Sequence, residues 1–189
     1  MKRIKLVAMS LAAVCVMSAA AASGAVAHTF TATEMGKLTA KATATQVFTV
    51  DGGKTVECTA LKLTAGEAVL ASLTQAATIV YSGCKSFGLS ATVSTAKYLF
   101  NADGTASLEN TLTITAVGCT VTVPSAKNQG LSSITYSNNG KNVKLTPSVK
   151  NITSSGSGTT CTYAEESKGT YAGASEVGLA SGVGSVSWS

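Results

Sequence analysis

The sequence predicts an all-β fold: an antiparallel β-sandwich or barrel-like domain with two disulfides and room for one short helix. Three observations carry that expectation. Apolar and hydroxyl-bearing residues alternate with a period of two, turn-forming pairs separate the alternating runs, and four cysteines follow an N-terminal export leader.

The alternation is clearest in three runs. Val56, Cys58 and Ala60 oppose Thr55, Glu57 and Thr59; Phe87, Leu89, Ala91 and Val93 oppose Gly88, Ser90, Thr92 and Ser94; Leu112, Ile114 and Ala116 oppose Thr111, Thr113 and Thr115. Successive side chains of a strand point to opposite faces, so each run predicts one buried face and one face solvated by hydroxyls. Turn chemistry falls between such runs at Asp51-Gly52-Gly53, Asp103-Gly104 and Asn139-Gly140. In the last pair both residues can take positive φ, as the centre of a type I′ hairpin requires. Antiparallel hairpins follow, and two packed sheets or a closed barrel would bury their apolar faces without long exposed edges. Thr64-Ala65-Gly66-Glu67 points elsewhere, because it matches a capping box ahead of Val69, Leu70 and Leu73 and so marks the candidate short helix. The Ser- and Gly-rich run 154–160 reads as a flexible loop.

The leader has three parts. Lys2, Arg3 and Lys5 form a positive start, an apolar run extends from Leu6 to Ala22, and Ala25-Val26-Ala27 places small residues where a signal peptidase cuts. Residues 1–27 are expected to be a signal peptide and residues 28–189 a single β domain, secreted, extracellular or at the cell surface, with the periplasm as the alternative. No stable membrane insertion is expected after cleavage. Cys15 follows the branched Val14, where lipoprotein processing needs a small residue, so it is expected to leave with the leader.

Cys58, Cys84, Cys119 and Cys161 remain. An even count in an exported chain favours two structural disulfides, and no pair has the spacing of a redox centre or zinc knuckle. Three pairings are open. Cys58–Cys84 with Cys119–Cys161 closes the shortest loops, an advantage of only about 1 kcal/mol because closure entropy grows logarithmically.

Composition excludes several functions. The formal net charge of +5 loses three positive charges with Lys2, Arg3 and Lys5, and the remainder contains no arginine. Nucleic acid is therefore not an expected partner. The lone histidine, His28, precedes the alternating runs, so no Ser-His-Asp or Cys-His arrangement can be built within them. Ser94-Thr95-Ala96-Lys97, Tyr136-Ser137-Asn138 and Lys168-Gly169-Thr170 echo penicillin-binding motifs, but the third is scrambled and the first falls on an alternating strand rather than a helix. Asn101-Ala102-Asp103-Gly104-Thr105 has one carboxylate and no downstream bidentate Glu, so it predicts a turn rather than a calcium loop. Glu165 and Glu166 would face opposite ways in a strand, which separates them as an acid–base pair.

Tyr81-Ser82-Gly83-Cys84 followed by Gly88, then Gly118-Cys119 with Val121 and Val123, Gln129-Gly130-Leu131, Tyr136 to Asn138, Cys161, and Gly169-Thr170-Tyr171-Ala172-Gly173 together resemble a group of uncharacterised exported β proteins, numerous in actinobacteria. The likeness runs from Phe48 to Gly173 and implies an all-β fold but no activity, ligand or cofactor. Members of the group often carry a further cysteine pair between the positions of Cys84 and Cys119, which this chain lacks.

The functional expectation is an exported, non-catalytic binding or cell-surface protein that would present Tyr98, Tyr136, Tyr163 or Tyr171 to a glycan or protein ligand, although for each tyrosine alone core or rim packing is the favoured reading. No cofactor or metal is expected. One alternative is a fimbrial or assembly subunit, suggested by Val186 and Trp188 alternating near the C-terminus. The other is a copper-binding secreted oxidase in which cleavage exposes the amine and imidazole of His28, although a copper brace needs a second histidine. Processing is directly testable: N-terminal sequencing and intact mass of the exported protein should give a chain beginning at His28. Retention of residues 1–27, or a lipid on Cys15, would refute the leader assignment.

Overall fold

The computed structural model describes residues 27–50, 53–161 and 165–189, without the side chains of 126–130 and 165–167. Residues 1–26, which hold most of the expected leader, the Asp51-Gly52 pair and Tyr163 lie outside the described residues, as do the side chains of Glu165 and Glu166. Among the described residues sixteen strands follow one another, the first eight being β1 (Phe30–Ala32), β2 (Gly36–Val50), β3 (Lys54–Ala65), β4 (Glu67–Ala68), β5 (Ala71–Ser72), β6 (Thr74–Ser86), β7 (Leu89–Val93) and β8 (Ala96–Asn101). The second half comprises β9 (Ala106–Leu108), β10 (Leu112–Ala116), β11 (Cys119–Val123), β12 (Ala126–Leu131), β13 (Ile134–Asn139), β14 (Asn142–Gly158), β15 (Glu165–Leu179) and β16 (Val186–Trp188). All the strand pairings are antiparallel.

Of the two architectures open to the sequence, the barrel is the one formed. Hydrogen-bonded neighbours run β6–β3–β2–β15–β14–β11–β10–β7, and β7 pairs back onto β6 through Lys85↔Ser90 and Ser86↔Leu89, closing an eight-stranded ring. Closure removes sheet edges and lets inward side chains fill the interior. Five of these strands are long enough to continue past the ring: β2, β3, β6, β14 and β15. There β13 extends the sheet from β14, while β8, β9 and β12 extend it from β6. A small sheet ordered β16–β1–β5 packs over this second half, which we call the cap end.

Where the two halves meet, the long strands depart from regular pairing. In β3 the buried positions change from Cys58 to Leu61 and Leu63, an inversion of the alternating face. In β6 they change from Ile79 and Tyr81 to Cys84 and Ser86, with Gly83 at φ 64 between them. Strand β14 inverts around Asn151, at φ 60, and register shifts interrupt the pairing of β2 with both β3 and β15. Only glycine serves at position 83, because a Cβ there would collide with Thr59 Oγ1. This waist explains why Ala60, expected on the face of Cys58, is exposed.

Both disulfides of the short-loop pairing are present. Cys58 and Cys84 are cross-strand partners at the waist with Cα atoms 3.9 Å apart, and Cys119–Cys161 ties the start of β11 to the chain after β14. By chain-entropy reasoning each contributes about 3–4 kcal/mol. Two disulfides are compatible with an extracellular or oxidising environment.

Other local expectations need correction. The candidate helix does not form: Thr64 and Ala65 end β3, Glu67–Ala68 pair with Gly36 and Lys37, and Thr64 Oγ1 donates to Thr78 O rather than to a helix amide. Sheet partners on both sides outcompete one isolated helical turn, whose nucleation is unfavourable. Ser154–Gly158 is not a loop but the end of β14, because β11 and β15 together supply backbone partners to this small-residue run. The Asn139 hairpin turns one residue later than expected. Asn139 pairs with Asn142, so Gly140 and Lys141 are central, and only Gly140 (φ 61) is positive, as in a type II′ turn. The tail Val186–Trp188 forms a strand that pairs antiparallel with β1 of its own chain.

Candidate functional site

Interior aromatic residues form one hydrogen-bonded chain that ends at the waist. Tyr98 on β8 and Tyr81 on β6 share a hydrogen bond of 3.2 Å, Tyr81 donates to the Tyr171 hydroxyl at 3.3 Å, and Tyr171 donates to Gln46 Oε1 at 2.5 Å. Gln46 is 1% exposed, and its Nε2 donates to Ala44 O at 2.7 Å and Ala174 O at 2.8 Å. Phe48 stacks on Tyr171 at 4.8 Å and meets Tyr81 edge-on. Burial pushes the Tyr98 phenol up to about 12 and raises Tyr81 and Tyr171 above the ordinary phenol range; for Tyr81 the neighbouring phenols add to the effect. The chain terminates on two backbone carbonyls, groups that take no proton at ordinary pH. It fixes side chains in place rather than moving protons.

Each described tyrosine packs in the core or at its rim, as the sequence favours for each taken alone, and is not presented at the surface. Tyr98 and Tyr136 are buried and Tyr171 is half-buried, because their strands aim them inward and partners inside satisfy three of the four described hydroxyls. The exception is Tyr136, whose buried hydroxyl has no hydrogen-bond partner. An orphaned buried polar group costs about 1–3 kcal/mol. Burial raises its phenol, and the nearby charge of Asp103 adds to the shift.

The open end of the ring is a mouth of about 160 Å³. Phe48 lies at its base, Val56, Ile114, Ala116 and Val121 line its walls, and Lys54 and Thr160 bring polar groups to it. Its rim carries two hairpin tips. Between Ser86 and Leu89 the turn is Phe87-Gly88 (φ 51 and 78), and between Ala116 and Cys119 it is Val117-Gly118 (φ 49 and 77). Both are type I′ geometries, whose first central position favours Asn, Asp or Gly. Phe and Val there are strained by about 1–2 kcal/mol each. They are also exposed to water, Phe87 at 75% and Val117 at 46%. Phe87 was expected to be the first residue of an alternating strand, and it is instead a turn residue. The signal that could have found both tips is the glycine that follows each, since Gly88 and Gly118 supply the second positive φ.

The remaining candidates disperse. His28 stacks on Trp188 with ring centroids 4.2 Å apart, and among the described residues no three His, Cys, Asp or Glu side chains gather to hold a metal ion. Asp103 closes the β8–β9 turn, where its Oδ1 accepts from Thr105 N at 2.9 Å and Thr105 Oγ1 at 2.7 Å; those bonds hold its carboxyl below the usual range. Ser94 Oγ accepts from Thr113 N just beyond β7, away from any helix. Glu165 and Glu166 occupy successive β15 positions opposite Ser155 and Ser154. No family model matches the chain, and neither a curated protein nor a solved structure matches it.

The interior phenols set an alkaline limit. Their folded pKa values lie above the unfolded value near 10, so the stabilisation they carry is fully present below about pH 10 and is lost as pH rises through about 12. Tyrosinate absorbance followed together with circular dichroism should show Tyr81, Tyr98, Tyr136 and Tyr171 ionising in one step with unfolding. Independent ionisation of these four near pH 10 with the fold intact would contradict the buried network.

Proposed function

We propose that this chain is an exported, non-catalytic binding protein that acts outside the cell or at its surface, and that the ring-end mouth receives the apolar part of its ligand. The rim carries this reading. Two bulky apolar residues occupy the two turn positions where Asn would relieve strain, and both face solvent beside an apolar throat. Strain retained at exposed apolar positions is expected where a surface is kept for contact rather than for folding. The mouth of a β-barrel is a common ligand site, and rigid hairpins on a disulfide-bonded ring suit recognition.

The leader and the two disulfides support export. The motif residues behind the resemblance to exported actinobacterial β proteins fall on architectural positions. Gly83 makes room for Thr59, Cys84 forms the waist disulfide, Tyr171 bonds Gln46, and a Cβ at Gly173 would collide with Gln46. They support a shared architecture and not a shared ligand. With Tyr98 and Tyr136 buried and Tyr171 half-buried, the ligand class shifts from a glycan or protein contacted by tyrosines to an apolar group.

The test uses N-phenyl-1-naphthylamine, an uncharged probe whose fluorescence rises in apolar surroundings. The mature protein should bind it saturably. Phe87→Asn and Val117→Asn should each raise stability by about 1 kcal/mol by relieving positive-φ strain, while Phe87→Asn weakens probe binding by about tenfold, the loss of most of one aromatic contact. Variants that bind as tightly as the parent would refute the mouth as the ligand site.

A further inference from the structure

The ring-end mouth is apolar in its depth and charged at one place on its wall. From the waist outward, β2 and β3 pair Gln46 with Cys58, then Phe48 with Val56, then Val50 with Lys54. The period of two puts Lys54 on the face of Val56 and Cys58, and Phe48, Val50, Lys54 and Val56 all line the mouth. Glu57 takes the opposite face of β3, where it is exposed and lies across from Lys85. A cation therefore follows two layers that end in Phe48 and Val56, in the outermost inward-facing pair of this hairpin.

Lys54 is half-buried. A lysine in such a place lays its stem along the apolar wall and holds its ammonium toward water, over the throat. Among the described residues lining the mouth it is the only charged one. Two hydroxyls on the same wall are committed to the backbone: Ser86 Oγ donates to Thr55 O at 2.8 Å, and Thr160 Oγ1 donates to Val117 O. Lys54 also interacts within the protein, but an ammonium has three donors, and one partner does not exhaust them.

We propose that the ligand of the mouth is an amphiphilic anion, an alkyl chain of about six carbons ending in a carboxylate, with the chain in the throat and the head on Lys54. This rests on the mouth being the ligand site and adds the head group and the chain length to that reading. The length follows from the volume of about 160 Å³, since an apolar site of that size accepts a guest of about six carbons. The charge follows from Lys54. An anion brought to an apolar wall gives up hydration, and a charge-assisted hydrogen bond from an ammonium replaces it.

Hexanoate and hexanamide, which match in shape and differ in charge, make the test. Backbone and methyl resonances of Val56, Ile114 and Val121 in the mature protein should shift saturably with both, with hexanoate binding about tenfold more tightly. Lys54→Met, which keeps an unbranched apolar stem, should bring hexanoate down to the affinity of hexanamide and leave hexanamide unchanged. Lys54→Arg keeps the cation and should keep the preference. Equal affinity for the two compounds in the parent, or a Lys54→Met protein that still prefers hexanoate, would overturn the anionic head and leave the mouth as the ligand site. A parent that takes N-phenyl-1-naphthylamine but neither compound would likewise overturn this ligand alone. One that takes none of the three would overturn the mouth reading together with it.

Discussion

Across four neighbouring strands at the waist, Gly173 of β15, Gln46 of β2, Cys58 of β3 and Cys84 of β6 lie side by side. Gln46 and Cys58 are the largest fully buried side chains described, and the rest of the structure depends on how the amide is satisfied. The β2–β15 ladder breaks on either side of the Ala44–Ala174 pair, and Gln46 Nε2 donates to the carbonyls of those two residues. The amide thus stands in for ladder bonds where the register shifts, and its oxygen anchors the phenol chain. All three bonds together make an otherwise costly buried amide tolerable.

That arrangement lets one set of long strands serve two differently built ends. Below the waist the strands join β7, β10 and β11 in a closed ring; above it they spread to meet β8 and β13 under the β16–β1–β5 sheet. A continuous alternation would force one parity inward along the full strand length. The inversions at Gly83 and Asn151 instead let odd-numbered positions face the cap-end core and even-numbered ones face the ring. The consequence for function is two unlike spaces. One is the mouth with its strained apolar tips, and the other a space among apolar side chains under the cap sheet.

Much of the ring was legible in the sequence because it is local. Leu112 and Ile114 alternate with Thr111, Thr113 and Thr115 as half-buried strands do, and the cysteines pair over the shortest loops. What could not be read depends on partners distant in sequence. Thr64 to Glu67 carries a helical capping pattern that β2 and β6 override, and Ser154–Gly158 looks like a loop until β11 and β15 flank it. That the tyrosines pack inward was legible, but their hydrogen-bond partners were not, because those lie far away in sequence, as Gln46 does for Tyr171. Phe87 and Val117 were hidden for the opposite reason. Phe87 shares the parity of its apolar run while Val117 falls on the hydroxyl face of its own, and only the glycine after each betrays the turn.

The account rests on Gln46 acting as the waist's hydrogen-bonding hub, and a double-mutant cycle tests this most directly. Stability would be measured for Gln46→Met, Tyr171→Phe and the pair. Each single change strands a partner of the other, so the double variant should cost less than the sum of the two by about 1–2 kcal/mol, with Gln46→Met the more damaging alone because it also orphans Ala44 O and Ala174 O. Additivity within about 0.5 kcal/mol, or a Gln46→Met protein as stable as the parent, would contradict it.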